Sequence, residues 1–315
     1  MSTPRFGLQL PNFTLGVPDD ELFEKVVEFA TSAEDSGFSS VWVMDHFYQL
    51  PALGGGDQPM LEAYTLLGAL AARTTTAQLG TLVTGVTYRN PAMLAKIITT
   101  LDVISKGRAI LGIGAAWHDI EHEGYGFEFP PVKERMDRLE EAVQICRAMF
   151  KGDHASFEGR YYSIKDARSL PRPVRSGGPK IMIGGGGEKR TLKLVAQYAD
   201  QCNVSGDLDT VRHKIKVIHE HCAAVGRDPK EVEITRMATL VITESDAQTA
   251  QTREFLVGAA GEEAARAFNV GQEQEIVDQI AQLFEAGVDE AIFNMPLSPV
   301  EDVRRAGELL TKAFR

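Results

Sequence analysis

Cysteine is scarce in this chain of 315 residues: Cys146, Cys202 and Cys222 are odd in number and far apart. That excludes a disulfide framework and the paired spacing of a structural zinc site, and it points to a reduced, cytoplasmic setting. Positive charge is also in deficit, with 33 Lys and Arg against 44 Asp and Glu and a net charge of −11. Nucleic acid or an anionic membrane as main partner would require a basic face, so neither is expected. No apolar run approaches the length of a membrane span, and the start MSTPRFGLQLP has no signal-peptide core. No linker-like shift in composition divides the chain. The length allows one long α/β domain or two ordinary ones, and without a linker the expectation is a single domain over residues 1–315.

What the chain does have is a repeated unit of apolar strand, turn, amphipathic helix and glycine. Strands are expected at 5–10, 40–45, 78–84, 108–115, 180–183, 201–204, 232–243 and 289–294. Asp19 or Asp20 is expected to cap the first helix, a second helix should run over about 60–73, and Asn90 followed by Pro91 should start a third. Gly37, Gly107, Gly152, Gly226 and Gly287 read as helix stops. Two stretches break the rhythm: FEGRYYSI, which reads as a small hairpin, and an extra helical segment over 246–268. Eight alternating units require parallel strands and fit a (β/α)₈ TIM barrel with insertions after strands four and seven. A doubly wound open sheet is the structural alternative. In a barrel, chemistry gathers at the C-terminal ends of the strands.

The fifth such end is the most distinctive. Gly184, Gly185, Gly186 and Gly187 lie between a strand and a helix, with the cations Lys189 and Arg190 beside the helix start. Free N–H groups, the helix dipole and two cations together describe a phosphate seat, although a bare glycine connection for close packing is the simpler reading. GGGGEKRT lacks the Gly-Lys-Ser/Thr of a P-loop, and Glu188 would compete with an anion unless it turns away. After strand two stand Asp45 and His46, a pair in which the histidine can give or take a proton near neutrality. Gln9, Thr84, residues 114–118, Asn203 and Asn294 complete the polar strand ends. The run HDIEH at 118–122 matches a zinc-peptidase arrangement, but its flanks read as a long loop, so no metal site is expected. Trp117, Tyr125, Phe127 and Phe129 in that loop either wall a flat ring or form a satellite cluster.

VWVMDHF, LGTLVTGVTYRNPAMLAK, GRAILGIGAAWHDIEHEGYG and MIGGGGEKRTLKLVAQYADQCN, in this order, resemble the luciferase-like monooxygenase family, and most closely its branch of coenzyme F420-dependent oxidoreductases. The resemblance spans nearly the whole chain. It implies a barrel with a deazaflavin or flavin ring in its mouth and the cofactor phosphate at residues 184–190. It places Asp45 and His46 beside the reactive centre of the ring. Leu82, Val83 and Thr84 match the segment that presses on the ring, where the family often has a bulge with a non-prolyl cis peptide. Ala115, Ala116 and Trp117 match the fourth strand end; Trp117 stands where the family's sugar-phosphate dehydrogenases carry a glutamate, which leaves His46 as first candidate for the proton. The implied activity is hydride transfer between F420 and a small organic substrate, in a homodimer. FMN-dependent monooxygenation is the near alternative. A metal-dependent barrel hydrolase or isomerase and a non-catalytic cofactor binder are more distant ones.

Overall fold

The computed structural model describes residues 3–296 and 298–314. Eight parallel strands close on themselves: β1 (Arg5–Leu10), β2 (Ser40–Val43), β3 (Gln78–Thr81, resumed at Thr84–Gly85), β4 (Ala109–Gly114), β5 (Lys180–Gly184), β6 (Gln201–Val204), β7 (Glu233–Ile242) and β8 (Glu290–Asn294). Each pairs with the next, and β8 pairs with β1 through Arg5 with Glu290 to Gln9 with Asn294. The fold is the expected TIM barrel. A three-residue strand, Asn269–Gly271, extends β7 on the outside, and His154–Glu158 pairs with Ser163–Arg168 as the expected hairpin.

Most of the strands are buried on both faces, which is why they read as apolar runs rather than as alternating patterns. Outward side chains such as Val41, Leu79, Leu111 and Ile183 pack under Leu67, Ile98, Val143 and Val195 of the surrounding helices. A smaller cluster fills the barrel interior: Trp42, Ile110, Met182 and Ile292, with Leu82 and Met237 against it. Trp42 fits because Gly80 faces it. A Cβ at Gly80 would lie 2.7 Å from Trp42 Cζ3 and 2.8 Å from the Ile110 carbonyl oxygen.

Helix starts follow local chemistry. The Asn90 side chain accepts from the Ala92 N–H at 2.9 Å ahead of Pro91, as expected. The second helix is shorter than expected, Ala63–Arg73, because the Glu62 carboxylate accepts from the N–H groups of Tyr64 and Thr65 and fixes the start there. In the first helix, Asp19–Ser36, Pro18 occupies the cap position, and Asp19 and Asp20 fall inside the first turn, where they complement the dipole without capping. β3 is not one continuous strand over 78–84, since the peptide between Leu82 and Val83 is cis and interrupts it. The segment after β4 also differs from the expected loop. Asp119–Tyr125 is a helix that ends at Gly126, whose φ of 71° is the left-handed turn of a C-terminal cap. The insertion after β7 is helical over Asp246–Ala260 and Glu262–Ala265. None of the helices among the described residues is long and apolar enough to cross a membrane.

The close approach at Gly80 yields a test. Gly80→Ala forces its new methyl group onto a buried indole and a backbone carbonyl, neither of which has room to retreat, and should destabilise the fold by about 1–3 kcal/mol in urea denaturation. Unchanged stability would show that the interior has slack around Trp42.

Candidate active site

The C-terminal ends of β2 to β5 surround a cleft of about 400 Å³. Asp45, His46, Leu82, Val83, Thr84, Ala115, Ala116, Trp117, Gly184 and Gly185 all line it, so residues far apart in sequence meet at one mouth. Gly186, Gly187, Lys189 and Arg190 continue from its rim along the turn after β5. The cleft has an apolar wall. Val83 occupies the space that side chains on β4 and β5 would need: a Cβ at Gly114 or at Gly184 would lie 2.9 Å from its methyl groups. Ala116 sits at φ 60°, an uncommon value for a residue with a Cβ, at the bend that carries Trp117 over the opening. Trp117 is 61% exposed, with its ring edge-on to His46 at 5.5 Å between centroids.

His46 is held from behind. Its Nδ1 lies 2.8 Å from Glu121 Oε1, and Glu121 is fully buried. The other carboxylate oxygen accepts from the Phe47 N–H at 2.7 Å, and the Tyr88 hydroxyl donates to Oε1. Burial acts to raise the Glu121 pKa, but the hydrogen bonds from His46, Tyr88 and the Phe47 N–H outweigh it and hold the carboxyl at about 2. A carboxylate only accepts, so His46 must carry its proton on Nδ1 when neutral, leaving Nε2 free for proton exchange.

Asp45 is anchored differently. Arg89 donates to both of its oxygens, at 2.6 Å and 3.1 Å, and also bonds Glu62 while lying over the Tyr64 ring. Burial pushes the Asp45 carboxyl up, against the pull of the Arg89 guanidinium. Its carboxylate therefore serves mainly to lock the β2 end to the segment after β3. On the fourth side Arg135 donates to the Ala115 carbonyl at 3.0 Å and stacks on Phe129, which fixes the rim before Trp117.

The glycine turn divides its charges. Arg190 is committed to Asp137 at 2.6 Å, so this guanidinium is not a free cation at the helix start. Glu188 is turned aside onto Lys214 and His213, which removes its competition with an anion. Lys189 is exposed and, among the described residues, without an ion-pair partner. The Leu192 N–H closes the turn on the Gly187 carbonyl at 3.0 Å, while Gly186 and Gly187 donate no hydrogen bond to the described residues. A Cβ at Gly187 would lie 3.0 Å from Thr191 Oγ1. The turn thus offers free N–H groups, one free cation and a cradle that side chains would fill, which fits a phosphate group. The wall of Val83, Ala115 and Ala116 fits a flat ring.

Sequence reasoning missed Glu121, Tyr88 and Arg89. In the sequence Glu121 stands only as the acid within HDIEH, the run whose histidines match a zinc-peptidase arrangement, yet both of its oxygens serve the His46 side of the cleft. His122 is likewise engaged, with Nδ1 2.7 Å from the His118 carbonyl and Nε2 2.7 Å from Thr87 Oγ1. Among the described residues no group of three or more His, Cys, Asp or Glu is arranged to hold a metal ion. The aromatics also separate. Trp117 faces the cleft, whereas Tyr125, Phe127 and Phe129 pack with Phe47, Tyr88 and His122 beneath it.

Because the folded-state pKa of Glu121 lies below its ordinary 4.5, its contribution to stability is present above about pH 4.5 and is lost as pH falls toward about 2. Glu121→Gln should therefore cost about 1.5–3 kcal/mol at neutral pH, the range for hydrogen bonds to a charged group. The gap from wild type should narrow as the pH drops through that window. A pH-independent gap in chemical denaturation would contradict the charged state assigned to Glu121.

A family model described as luciferase-like monooxygenase matches residues 5–269. An F420-dependent glucose-6-phosphate dehydrogenase of Amycolatopsis mediterranei is 31% identical over 304 residues, covering 86% of this chain and 88% of that protein. Two solved structures share the fold: an F420-dependent secondary alcohol dehydrogenase in complex with an F420-acetone adduct (TM-score 0.84, 22% identity, 100% of both chains) and a riboflavin lyase with modified FMN (TM-score 0.81, 16% identity, 99% of this chain and 91% of that one). Barrel, cleft, glycine turn and a family match over most of the length converge, and the chain belongs to the luciferase-like monooxygenase family.

Proposed function

We propose that this protein is an F420-dependent oxidoreductase that transfers a hydride between the deazaflavin and a small organic substrate. The observation that carries the reading is His46, fixed by Glu121 with Nε2 available, on the wall of a cleft whose far rim is an anion-receptive glycine turn. When bound, a deazaflavin supplies a ring carbon that gives or takes a hydride, and the protein positions and polarises. Leu82, Val83, Ala115, Ala116 and Trp117 would enclose the ring. Within residues 184–187, Gly186 and Gly187 would bind the phosphate through their N–H groups, Gly184 and Gly185 shaping the approach, with Lys189 as the free cation and Arg190 bracing the turn through Asp137. Asp45 supports the ring site through Arg89. His46 takes or gives, at Nε2, the proton that accompanies the hydride.

The same reading places the enzyme in the cytoplasm as a homodimer. Three unpaired, buried thiols support the compartment. The exposed apolar side chains Met93 and Ile104, on one face of the helix Pro91–Ile104, support pairing of two copies.

Titration of the apo protein with F420 and with FMN, followed by fluorescence, should show preference for F420, weakened by salt as expected for a Lys189-assisted anion. Equal or reversed preference would move the reading to an FMN-dependent monooxygenase. With F420 bound, His46→Ala should lower single-turnover hydride transfer about 10²–10⁴-fold while cofactor affinity holds, the usual worth of a positioned acid or base. An unchanged rate in the bound complex would remove His46 from the chemistry.

A further inference from the structure

Beside the cofactor cleft, and sharing Met237 with it, lies a larger groove of about 1050 Å³ between the ends of β6, β7 and β8 and the helical insertion after β7. Its position at the barrel mouth makes it the space for the substrate body. From its composition we infer that the substrate is uncharged, recognised through hydroxyl or carbonyl groups, and carries no phosphate. This inference rests on the deazaflavin reading and concerns the other half of the same site.

The floor where groove and cleft meet is polar but neutral. Thr239 Oγ1 donates to Asn294 Oδ1 at 2.7 Å, Asn294 Nδ2 to Gln9 Oε1 at 3.4 Å, and Asn203 Nδ2 to Thr235 Oγ1 at 2.8 Å. Thr235 is further spent on the Cys202 carbonyl, Asn294 Nδ2 on Met237 Sδ and Gln9 Nε2 on the Leu82 carbonyl, which leaves Asn203 Oδ1 and the remaining lone pairs of Thr239 Oγ1 and Asn294 Oδ1, a neutral set that suits an uncharged polar molecule.

The rim carries the opposite of what a phosphate needs. Asp207, Glu262 and Glu263 line the groove against one cation, Arg266, which is paired with Glu262 at 3.1 Å. Glu263 is exposed and has no ion-pair partner among the described residues. Two helices begin here: the single turn Glu262–Ala265, whose own first residues are Glu262 and Glu263, and Leu208–Ala224, whose Asp207 fills its N-terminal end by accepting from the Thr210 N–H at 2.9 Å. An incoming anion would find the position taken by a carboxylate. Arg236 lies close behind the wall but is only 2% exposed. Its two terminal nitrogens are spent on Asn269 Oδ1 and on the carbonyls of Gly206 and Ala267, which tie the insertion to β7, and its Nε is buried out of reach of the groove. Lys189, without an ion-pair partner among the described residues, stands on the glycine turn across the cleft, at the end assigned to the cofactor.

Relatives of this chain are named for glucose 6-phosphate, so that compound is the decisive probe. F420 binding is measured first by fluorescence; if F420 does not bind, the cofactor reading falls and this inference with it. With F420 bound, glucose 6-phosphate up to 10 mM, a concentration chosen as roughly tenfold above a typical upper KM, should give no saturable turnover and no broadening of its ³¹P resonance. The double variant Glu262→Gln, Glu263→Lys, which frees Arg266 and adds a cation on an exposed helix, should bind it at least about tenfold more tightly. At least one uncharged pair among isopropanol and acetone or cyclohexanol and cyclohexanone should be turned over by wild type, with little dependence on ionic strength. Saturable turnover of glucose 6-phosphate by wild type, or failure of every uncharged pair with F420 bound, would overturn the inference and leave the cofactor assignment standing.

Discussion

The hydrogen bond between Glu121 and His46 governs the geometry of the mouth. It joins the end of β2 to the short helix after β4, so two loops that would otherwise move independently share one buried carboxylate. The same carboxylate takes the Phe47 N–H and the Tyr88 hydroxyl, and Tyr88 belongs to the segment after β3. Three consecutive strand ends are thereby fixed to one another, and the imidazole between them is left with a single free nitrogen. Arg89 does parallel work one layer deeper by binding Asp45 and Glu62 together. A ring that had to be placed against His46 would meet a surface with little freedom to yield, which is what positioning a hydride donor or acceptor requires.

Charge is distributed unevenly around this fixed wall. Lys189 and the free N–H groups of the glycine turn occupy one rim, while Asp207, Glu262 and Glu263 occupy the groove on the other side. One mouth therefore carries an anion-receptive rim beside a neutral-to-acidic groove, and cleft and groove meet at Met237. The net charge of −11 gave no hint of this division, since it reports the sum and not its placement.

How much of this was legible in the sequence differs by level. The eight strands were readable to within a few residues because buried parallel strands leave unbroken apolar runs, and glycine stops separate the units. The interruption of β3 after Thr81 left no mark in composition and was expected only from resemblance. HDIEH misled for a physical reason. A helix of seven residues with only Glu121 and His122 buried is too short to show amphipathic periodicity, and Gly126 was read as loop although it is the left-handed cap that ends the helix. Glu121 itself could have been found by asking which acid would orient His46, since an imidazole at an active site needs a partner on its other nitrogen. Arg190 was misjudged because a cation beside a glycine turn looks free until Asp137, more than fifty residues earlier in the chain, is brought alongside.

The central claim is that Glu121 dictates which nitrogen of His46 carries the proton. The most direct measurement is ¹⁵N NMR of selectively labelled histidine in the wild-type protein, with the His46 resonances assigned by substitution, at a pH where the ring is neutral. The account predicts a protonated Nδ1 and a bare Nε2. A bare Nδ1 with the proton on Nε2 would mean that Glu121 does not accept from His46, and the positioning argument built on that bond would fail.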